Sequence, residues 1–272
     1  MLSLNCRGKL LNITNPLVMG IINLTPDSFY SESRKSNADE LLKSANKMLT
    51  EGADILDLGT CSTRPNSAAV GTDAELQRLD QNIALLKKEF PDCIISIDSY
   101  DKVVVKTALD QGADIINDVS GDGLNNGLAQ LAKEYKVPYV LSHNPVELHS
   151  PEKSKNFSLV ECLADLSKKR LALIDFGLKD VIIDPAFGFG KTLQDNYLIL
   201  KNLKSFECLE SVLMIGVSRK RMIWELLERD AHSIKCESVY LGLKAAEMGA
   251  NIIRSHDIKE TVNGLKLLEK LR

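Results

Sequence analysis

The sequence predicts a closed parallel (β/α)₈ barrel, and three observations carry that prediction. Eight short apolar runs are spaced along 272 residues, a length at which eight strand–helix units form one barrel. One phrase recurs: Glu51-Gly-Ala-Asp-Ile-Leu-Asp57, Gln111-Gly-Ala-Asp-Ile-Ile-Asn117 and Met248-Gly-Ala-Asn-Ile-Ile-Arg254. In each, an amphipathic stretch stops at a glycine suited to a left-handed helix C-cap, and an apolar run opens just after it. Finally, no Pro/Gly-rich linker or low-complexity stretch divides the chain.

In order, the predicted strands are Leu17–Leu24, Asp54–Gly59, Cys93–Asp98, Asp114–Asp118, Pro138–Ser142, Val181–Pro185, Val212–Val217 and Asn251–Arg254. They are mostly continuous rather than alternating apolar runs, as parallel strands covered on both faces require. Helical periodicity fills the gaps over Ala38–Glu51, Asp73–Phe90, Lys102–Gln111 and Leu159–Phe176. Two helical patterns, Arg221–Arg229 and Ser238–Met248, occupy the longer gap before the last run. This order favours a (β/α)₈ TIM barrel, one domain over residues 1–272, over a doubly wound open sheet.

Composition narrows the function. A hydrophobic content of 44% with 26% charged residues is that of a globular protein with a large core. The net charge of −3 argues against a nucleic-acid coat or an anionic membrane surface, so an anionic ligand must be met by a few placed cations. Six scattered cysteines without a C-x-x-C pair read as reduced thiols of a cytoplasmic protein. Neither a signal-peptide h-region nor an 18-residue apolar run is found.

Every run stops at polar residues, and in a barrel all eight ends open onto one face, where active sites of this architecture are built. Loops are polar in general, but the types collected here are specific. They are carboxylates (Asp57, Asp98, Asp184), cations (Arg64, Lys220, Arg254), amides (Asn23, Asn117) and imidazoles (His143, His256). Asp98 and Asp184 end apolar runs, so each needs a hydrogen-bond donor, which a ligand rich in N–H groups would supply. Arg64 follows Ser62-Thr63, and Arg254 and His256 lie two apart on one strand, which together make a candidate anion clamp. Asn23 and Thr25 offer oxygens for a magnesium ion. Gly188-Phe-Gly-Lys191 lacks Walker spacing, so its glycines serve a tight turn with Phe187 or Phe189 as a wall. The cysteines match no zinc spacing.

The strings Met19-Gly-Ile-Ile-Asn23-Leu-Thr-Pro-Asp27-Ser-Phe29, Ser62-Thr-Arg-Pro65, Ser96-Ile-Asp98-Ser-Tyr100 and Ile115-Ile-Asn117-Asp-Val-Ser-Gly121 closely resemble those of dihydropteroate synthases. So do Ile183-Asp-Pro-Ala-Phe-Gly-Phe-Gly-Lys-Thr192, Ser218-Arg-Lys220 and Arg254-Ser-His-Asp257, in the family's order from about residue 17 onward. The resemblance implies an enzyme of folate synthesis, a transferase. In its reaction the amine of p-aminobenzoate displaces diphosphate from 6-hydroxymethyl-7,8-dihydropterin diphosphate.

By matching position, the resemblance implies a pterin grip of Asp98, Asn117, Asp184 and Lys220, with Asp57 beside it. It implies a diphosphate clamp of Asn23, Thr63, Arg64, Arg254 and His256, with Asn23 also a Mg²⁺ ligand. For p-aminobenzoate it implies Thr63, Pro65, Phe189, Ser218 and Lys220, with Phe29 above. Asp98, Asp184, Lys220 and Arg254 then stand at the reacting centre, without a strong base or a covalent nucleophile. It further implies a homodimer through late helices and a sulfonamide target. The chain departs from the family's commonest pattern at Ser31-Glu32, Thr60-Cys61, Ser142 and Ala186. Two other readings are a methyltetrahydrofolate-dependent methyltransferase barrel, which has no need of the clamp, and a non-catalytic paralogue, which would have lost it.

Overall fold

The computed structural model of the chain describes residues 2–24, 34–60, 71–146 and 156–271. Its strands are β1 (Leu2–Cys6), β2 (Lys9–Ile13), β3 (Leu17–Asn23), β4 (Ile55–Gly59) and β5 (Ile94–Asp98). They continue with β6 (Ile115–Asp118), β7 (Tyr139–Ser142), β8 (Val181–Asp184), β9 (Val212–Ile215) and β10 (Ile252–Ser255). Strands β3 to β10 are parallel and close on themselves in the order β10-β3-β4-β5-β6-β7-β8-β9. Pairing of β10 with β3 (Arg254 opposite Met19) shuts the ring and decides for the barrel over the open sheet. All eight coincide with predicted runs to within two residues.

Side chains one residue apart on a strand face opposite ways, and the packing divides accordingly. Leu56, Leu58, Ile95, Ile97, Ile116, Leu141, Ile183, Ile215 and Ile253 face outward and pack under the helices. Met19, Ile55, Ile94, Ile115, Val140, Ile182, Met214 and Ile252 face inward and fill the lower barrel. Both faces are apolar, which is why the sequence shows runs rather than alternation.

The hairpin of β1 and β2 was not foreseen. Arg7 (φ 54°) and Gly8 (φ 92°) form its two-residue left-handed turn, the geometry that matches strand twist in short hairpins. Its inner face carries Leu4, Cys6 and Ile13, which join the interior cluster and floor the barrel. Arg7 Nη1 fastens the hairpin by donating to the carbonyls of Leu109 (2.7 Å) and Ala113 (3.2 Å).

Two predicted helices differ in extent. The pattern over Asp73–Phe90 is split into Thr72–Leu79 and Asn82–Glu89. Asp80 turns to φ 40° between them, and its freed carbonyl accepts from Gln111 Nε2. The pattern beginning at Arg221 stays α-helical only to Trp224, with Glu228 at φ 51° beyond it. Among the described residues, no helix is long and apolar enough to cross a membrane.

Leu4 is 1% exposed and Leu2 is 40% exposed on the same strand, so the floor can be tested within one hairpin. Leu4→Ala should lower the unfolding free energy by about 3 kcal/mol in urea titration, and Leu2→Ala by less than about 0.5 kcal/mol. Equal effects would remove the hairpin from the core.

Candidate functional site at the barrel mouth

The alternation that fills the lower barrel also builds the site. Moving two residues along a strand keeps the side chain pointing inward, and on most strands that step changes an apolar residue to a polar one. Ile55 is followed by Asp57, Ile94 by Ser96 and Asp98, Ile115 by Asn117, Val140 by Ser142, Ile182 by Asp184, and Ile252 by Arg254. Asp57 (0% exposed), Asn117 (1%), Asp98 (7%) and Asp184 (8%) thus sit on an apolar layer and point into the mouth.

Arg254 is the hub of this layer. Its Nε donates to Asp57 Oδ2 (2.6 Å) and its Nη2 to Asp98 Oδ2 (2.7 Å), with the guanidinium side chain 16% exposed. Asn117 Nδ2 donates to the same Asp57 oxygen (3.1 Å). Among the described residues the carboxylate and amide oxygens Asp57 Oδ1, Asp98 Oδ1 and Asn117 Oδ1 are buried without a hydrogen-bond partner, as are the hydroxyls of Ser96 and Ser142. Buried oxygens of this kind are costly unless a donor reaches them.

Electrostatics follow from the sharing. Burial pushes the Asp98 carboxyl up to about 7, against the pull of Arg254, while the Asp57 charge adds to the rise. Burial also raises Asp184, opposed by the Ala186 N–H (2.8 Å to Oδ1) and by Lys220. Burial works against the charge on Arg254, but Asp57 and Asp98 together outweigh it and hold it firmly protonated. Lys220 is lowered to about 8 by burial, with Arg254 adding to the fall.

A second cluster adjoins the first. Lys220 Nζ stands 4.6 Å from the centre of the Phe189 ring, a cation–π contact. Ser218 Oγ lies 3.0 Å from His256 Nδ1 and accepts from the His256 backbone N–H (3.2 Å). The residue between Ser218 and Lys220, Arg219, is left-handed (φ 55°). It turns aside to pair with Asp257 (2.8 Å).

Of the predicted site residues, the structure gathers Asn23, Asp98, Asn117, Asp184, Phe189, Ser218, Lys220, Arg254 and His256 around the mouth. Thr63, Arg64 and Pro65 lie outside the described residues, as do Thr25, Phe29, Glu32 and Cys61. Asp57 carries more than the sequence reading assigned to it, since it shares Arg254 with Asp98. His143 follows the inward Ser142 and therefore faces outward, edge-on to Phe157 with ring centres 6.1 Å apart. Burial lowers its pKa to about 3, so it is neutral. Asp118 also faces outward, where it accepts from Tyr139, Asn126 and the Ser120 N–H.

The stem of the segment bearing Thr63 and Arg64 was missed. Glu75, 1% exposed, accepts from Thr60 Oγ1 (2.5 Å) and Ser99 Oγ (3.0 Å). Arg78 donates to the Thr60 carbonyl (2.8 Å). The departure at Thr60 thus has a partner: its hydroxyl satisfies a buried carboxylate.

A barrel mouth with buried acceptors, a shared guanidinium and a lysine–aromatic wall defines a small-molecule enzyme site. The model of the pterin binding enzyme family matches residues 19–256. The dihydropteroate synthase of Escherichia coli K12 is 35% identical, over 98% of this chain and 96% of its own. The Xanthomonas albilineans dihydropteroate synthase solved with 4-aminobenzoic acid superposes with a TM-score of 0.91 at 33% identity, covering 99% of this chain and 97% of that one. The Yersinia pestis dihydropteroate synthase in a sulfonamide drug complex gives 0.90 at 33%, covering 100% and 99%. The chain belongs to the pterin binding enzymes and, within them, to the dihydropteroate synthases, which are transferases.

Two predictions follow from this geometry. Ala186 holds a left-handed backbone (φ 53°), which costs a non-glycine residue about 1–2 kcal/mol. Ala186→Gly should relieve more than the added unfolded-state freedom costs, raising the melting temperature by about 2 °C; a fall would show that the turn is unstrained.

The second concerns Asp98. Its folded pKa is raised, so it favours folding less as pH climbs from about 4 to 7. An N–H-bearing ligand prefers the ionised form, so if Asp98 grips the pterin as the resemblance implies, pterin affinity measured calorimetrically should rise roughly tenfold from pH 6 to 7.5. Asp98→Asn should bind weakly with little pH dependence, and a flat profile in the parent would contradict the assignment.

Proposed function

We propose that the mouth performs the dihydropteroate synthase reaction through a division of labour among its strand ends. The observation that carries the reading is the set of three buried acceptors on Asp57, Asp98 and Asn117 beside Arg254. A pterin's amino-pyrimidine edge presents N–H donors that complement a carboxylate in a two-bond fork. Asp98, Asn117 and Asp184 would accept from the ring, and Lys220 would donate to it. Arg254 and His256 would hold the diphosphate together with Thr63 and Arg64.

The chemistry needs no base. The bond from the pterin methylene carbon to the diphosphate oxygen breaks, and its electron pair leaves on the diphosphate. The arylamine nitrogen then attacks that carbon and loses one of its two protons to water or to the released diphosphate. Arg254 and His256 stabilise the departing charge, and the carboxylates of Asp98 and Asp184 stabilise the cation left on the ring. The p-aminobenzoate would lie along Phe189, Ser218 and Lys220, with Thr63 and Pro65 completing its place. Because Ser218 and His256 touch, the arylamine and diphosphate places adjoin, as a displacement requires.

The residues present fit a magnesium ion in one respect. Asn23 Oδ1 lies at the mouth in the same register as Gly59 and Asp98. No group of three or more His, Cys, Asp or Glu is placed to cage a metal among the described residues. A single amide oxygen suits Mg²⁺, which keeps most of its waters and binds substrate phosphates. When bound there it would neutralise diphosphate charge.

On the same reading the arylamine wall is a sulfonamide target, the protein is cytoplasmic, and it forms a homodimer through late helices. Tyr240 (65% exposed) and Leu267 (69% exposed) are large apolar side chains on those helices.

The decisive assay supplies dihydropterin diphosphate, p-aminobenzoate and Mg²⁺ and measures diphosphate and dihydropteroate together. Equal release of the two is expected, and no product would refute the assignment. Arg254→Met should lower kcat/KM by about a hundredfold, roughly 3 kcal/mol of lost transition-state stabilisation; undiminished turnover would place the diphosphate elsewhere.

A further inference from the structure

One buried cation stands outside the machinery just described. Lys191, 3% exposed, turns back into its own segment and donates to three backbone carbonyls. These are His143 (2.8 Å), Ala186 (3.1 Å) and Phe189 (3.1 Å). An ammonium has three N–H donors and no acceptor, so its capacity is filled by these three oxygens. The carbonyls come from the segments that follow two neighbouring strands, His143 after β7 and Ala186 and Phe189 after β8, and converge on one point.

That convergence shapes the chain. Between Asp184 and Lys191 the backbone is left-handed at Ala186 (φ 53°), Gly188 (φ 88°) and Gly190 (φ 58°). A Cβ at Gly190 would stand 2.6 Å from Val146 Cγ2, so this bend is closely packed. Gly188 N–H is held in turn by Asn196 Oδ1 (2.7 Å). The product of the winding is the placement of Phe189, whose ring lies against Lys220 Nζ. Burial lowers Lys191 to about 8, with Cys162 and Asp184 countering, so the lysine is charged at neutral pH.

We propose that Lys191 is a positioning residue for the arylamine half of the reaction, winding the segment after β8 so that Phe189 is held against Lys220. The inference rests on the assignment of Phe189 and Lys220 to the p-aminobenzoate place. It accounts for two sequence features left unassigned: the lysine of Gly188-Phe-Gly-Lys191, and the end of β7, where His143 contributes its carbonyl rather than its ring. Of the four pterin residues, Asp98 and Asn117 come from strands that Lys191 does not touch, while Asp184 and Lys220 adjoin the wound segment; Phe189 lies within it, so the larger effect should fall on the arylamine.

The test separates the substrates. Lys191→Met keeps the length of the stem but leaves three carbonyls without a donor. It should raise the KM for p-aminobenzoate at least tenfold, with the calorimetric Kd for pterin within threefold of the parent. Lys191→Arg restores the charge and should return KM for p-aminobenzoate to within threefold. The parent's own turnover establishes the reaction independently, so a failure here is distinguishable from a failure of the functional assignment. An unchanged KM in Lys191→Met, or equal loss of pterin and arylamine binding, would overturn the proposal. Failure of both variants to reach the parent's circular dichroism spectrum would also overturn it, by assigning the lysine to the fold alone.

Discussion

Arg254 is shared between two buried carboxylates on neighbouring strands, and the remainder of the mouth is arranged around that sharing. Asp57 and Asp98 each give it one oxygen, at 2.6 and 2.7 Å. Burial penalises the Asp98 charge by more than Arg254, shared with Asp57, returns to it, so its carboxyl is pushed up to about 7. The second oxygen of each acid remains open for a donor. A ligand with N–H groups on one edge and an anion at the other can then satisfy the acids and compete for the guanidinium together. On the proposed assignment, the cation that steadies the ligand-free site also receives the leaving group.

This arrangement needs a dry base. Below the polar residues lies the layer of Ile55, Ile94, Ile115, Val140, Ile182 and Ile252, and below that the hairpin floor of Leu4, Cys6 and Ile13. Burial of this depth is what strengthens each ion pair and raises the cost of each unpaired oxygen. The hairpin is remote from the chemistry, yet it closes the end of the barrel through which water would otherwise enter. Its attachment through Arg7 to the carbonyls of Leu109 and Ala113 is therefore part of the site's environment.

The strands were legible because parallel strands buried on both faces leave uninterrupted apolar runs. The inward acids were legible because each sits two or four residues beyond an inward isoleucine. Part of what escaped depended on contacts between residues distant in sequence, and part on local parity and short length. Asp57 reads as one polar residue inside an apolar run; its weight comes from Arg254, 197 residues away. His143 stands among the polar strand ends without an assigned role, and its parity relative to Val140 turns it outward. Glu75 lies inside the predicted helical stretch Asp73–Phe90 with nothing in the sequence to single it out, and it is buried beneath the hydroxyls of Thr60 and Ser99. The β1–β2 hairpin is too short for periodicity to mark it.

Two departures from the family pattern follow one physical logic. Thr60 adds a hydroxyl at the stem of the Thr63–Arg64 segment, and Glu75 accepts its hydrogen bond beside that of Ser99. Ala186 adds a methyl group where the backbone must be left-handed, and the turn is retained because its carbonyl accepts from Lys191 while its N–H donates to Asp184. In each case the altered residue lies at the base of a strand-end segment, with a buried charged group holding it. None of the inward residues Asp98, Asn117, Asp184 and Arg254 is altered. The mouth therefore combines charged inward residues, where a substitution would strand a buried partner, with positions such as Thr60, Ala186 and the uncharged inward Ser142, where a change leaves the ion pairs intact.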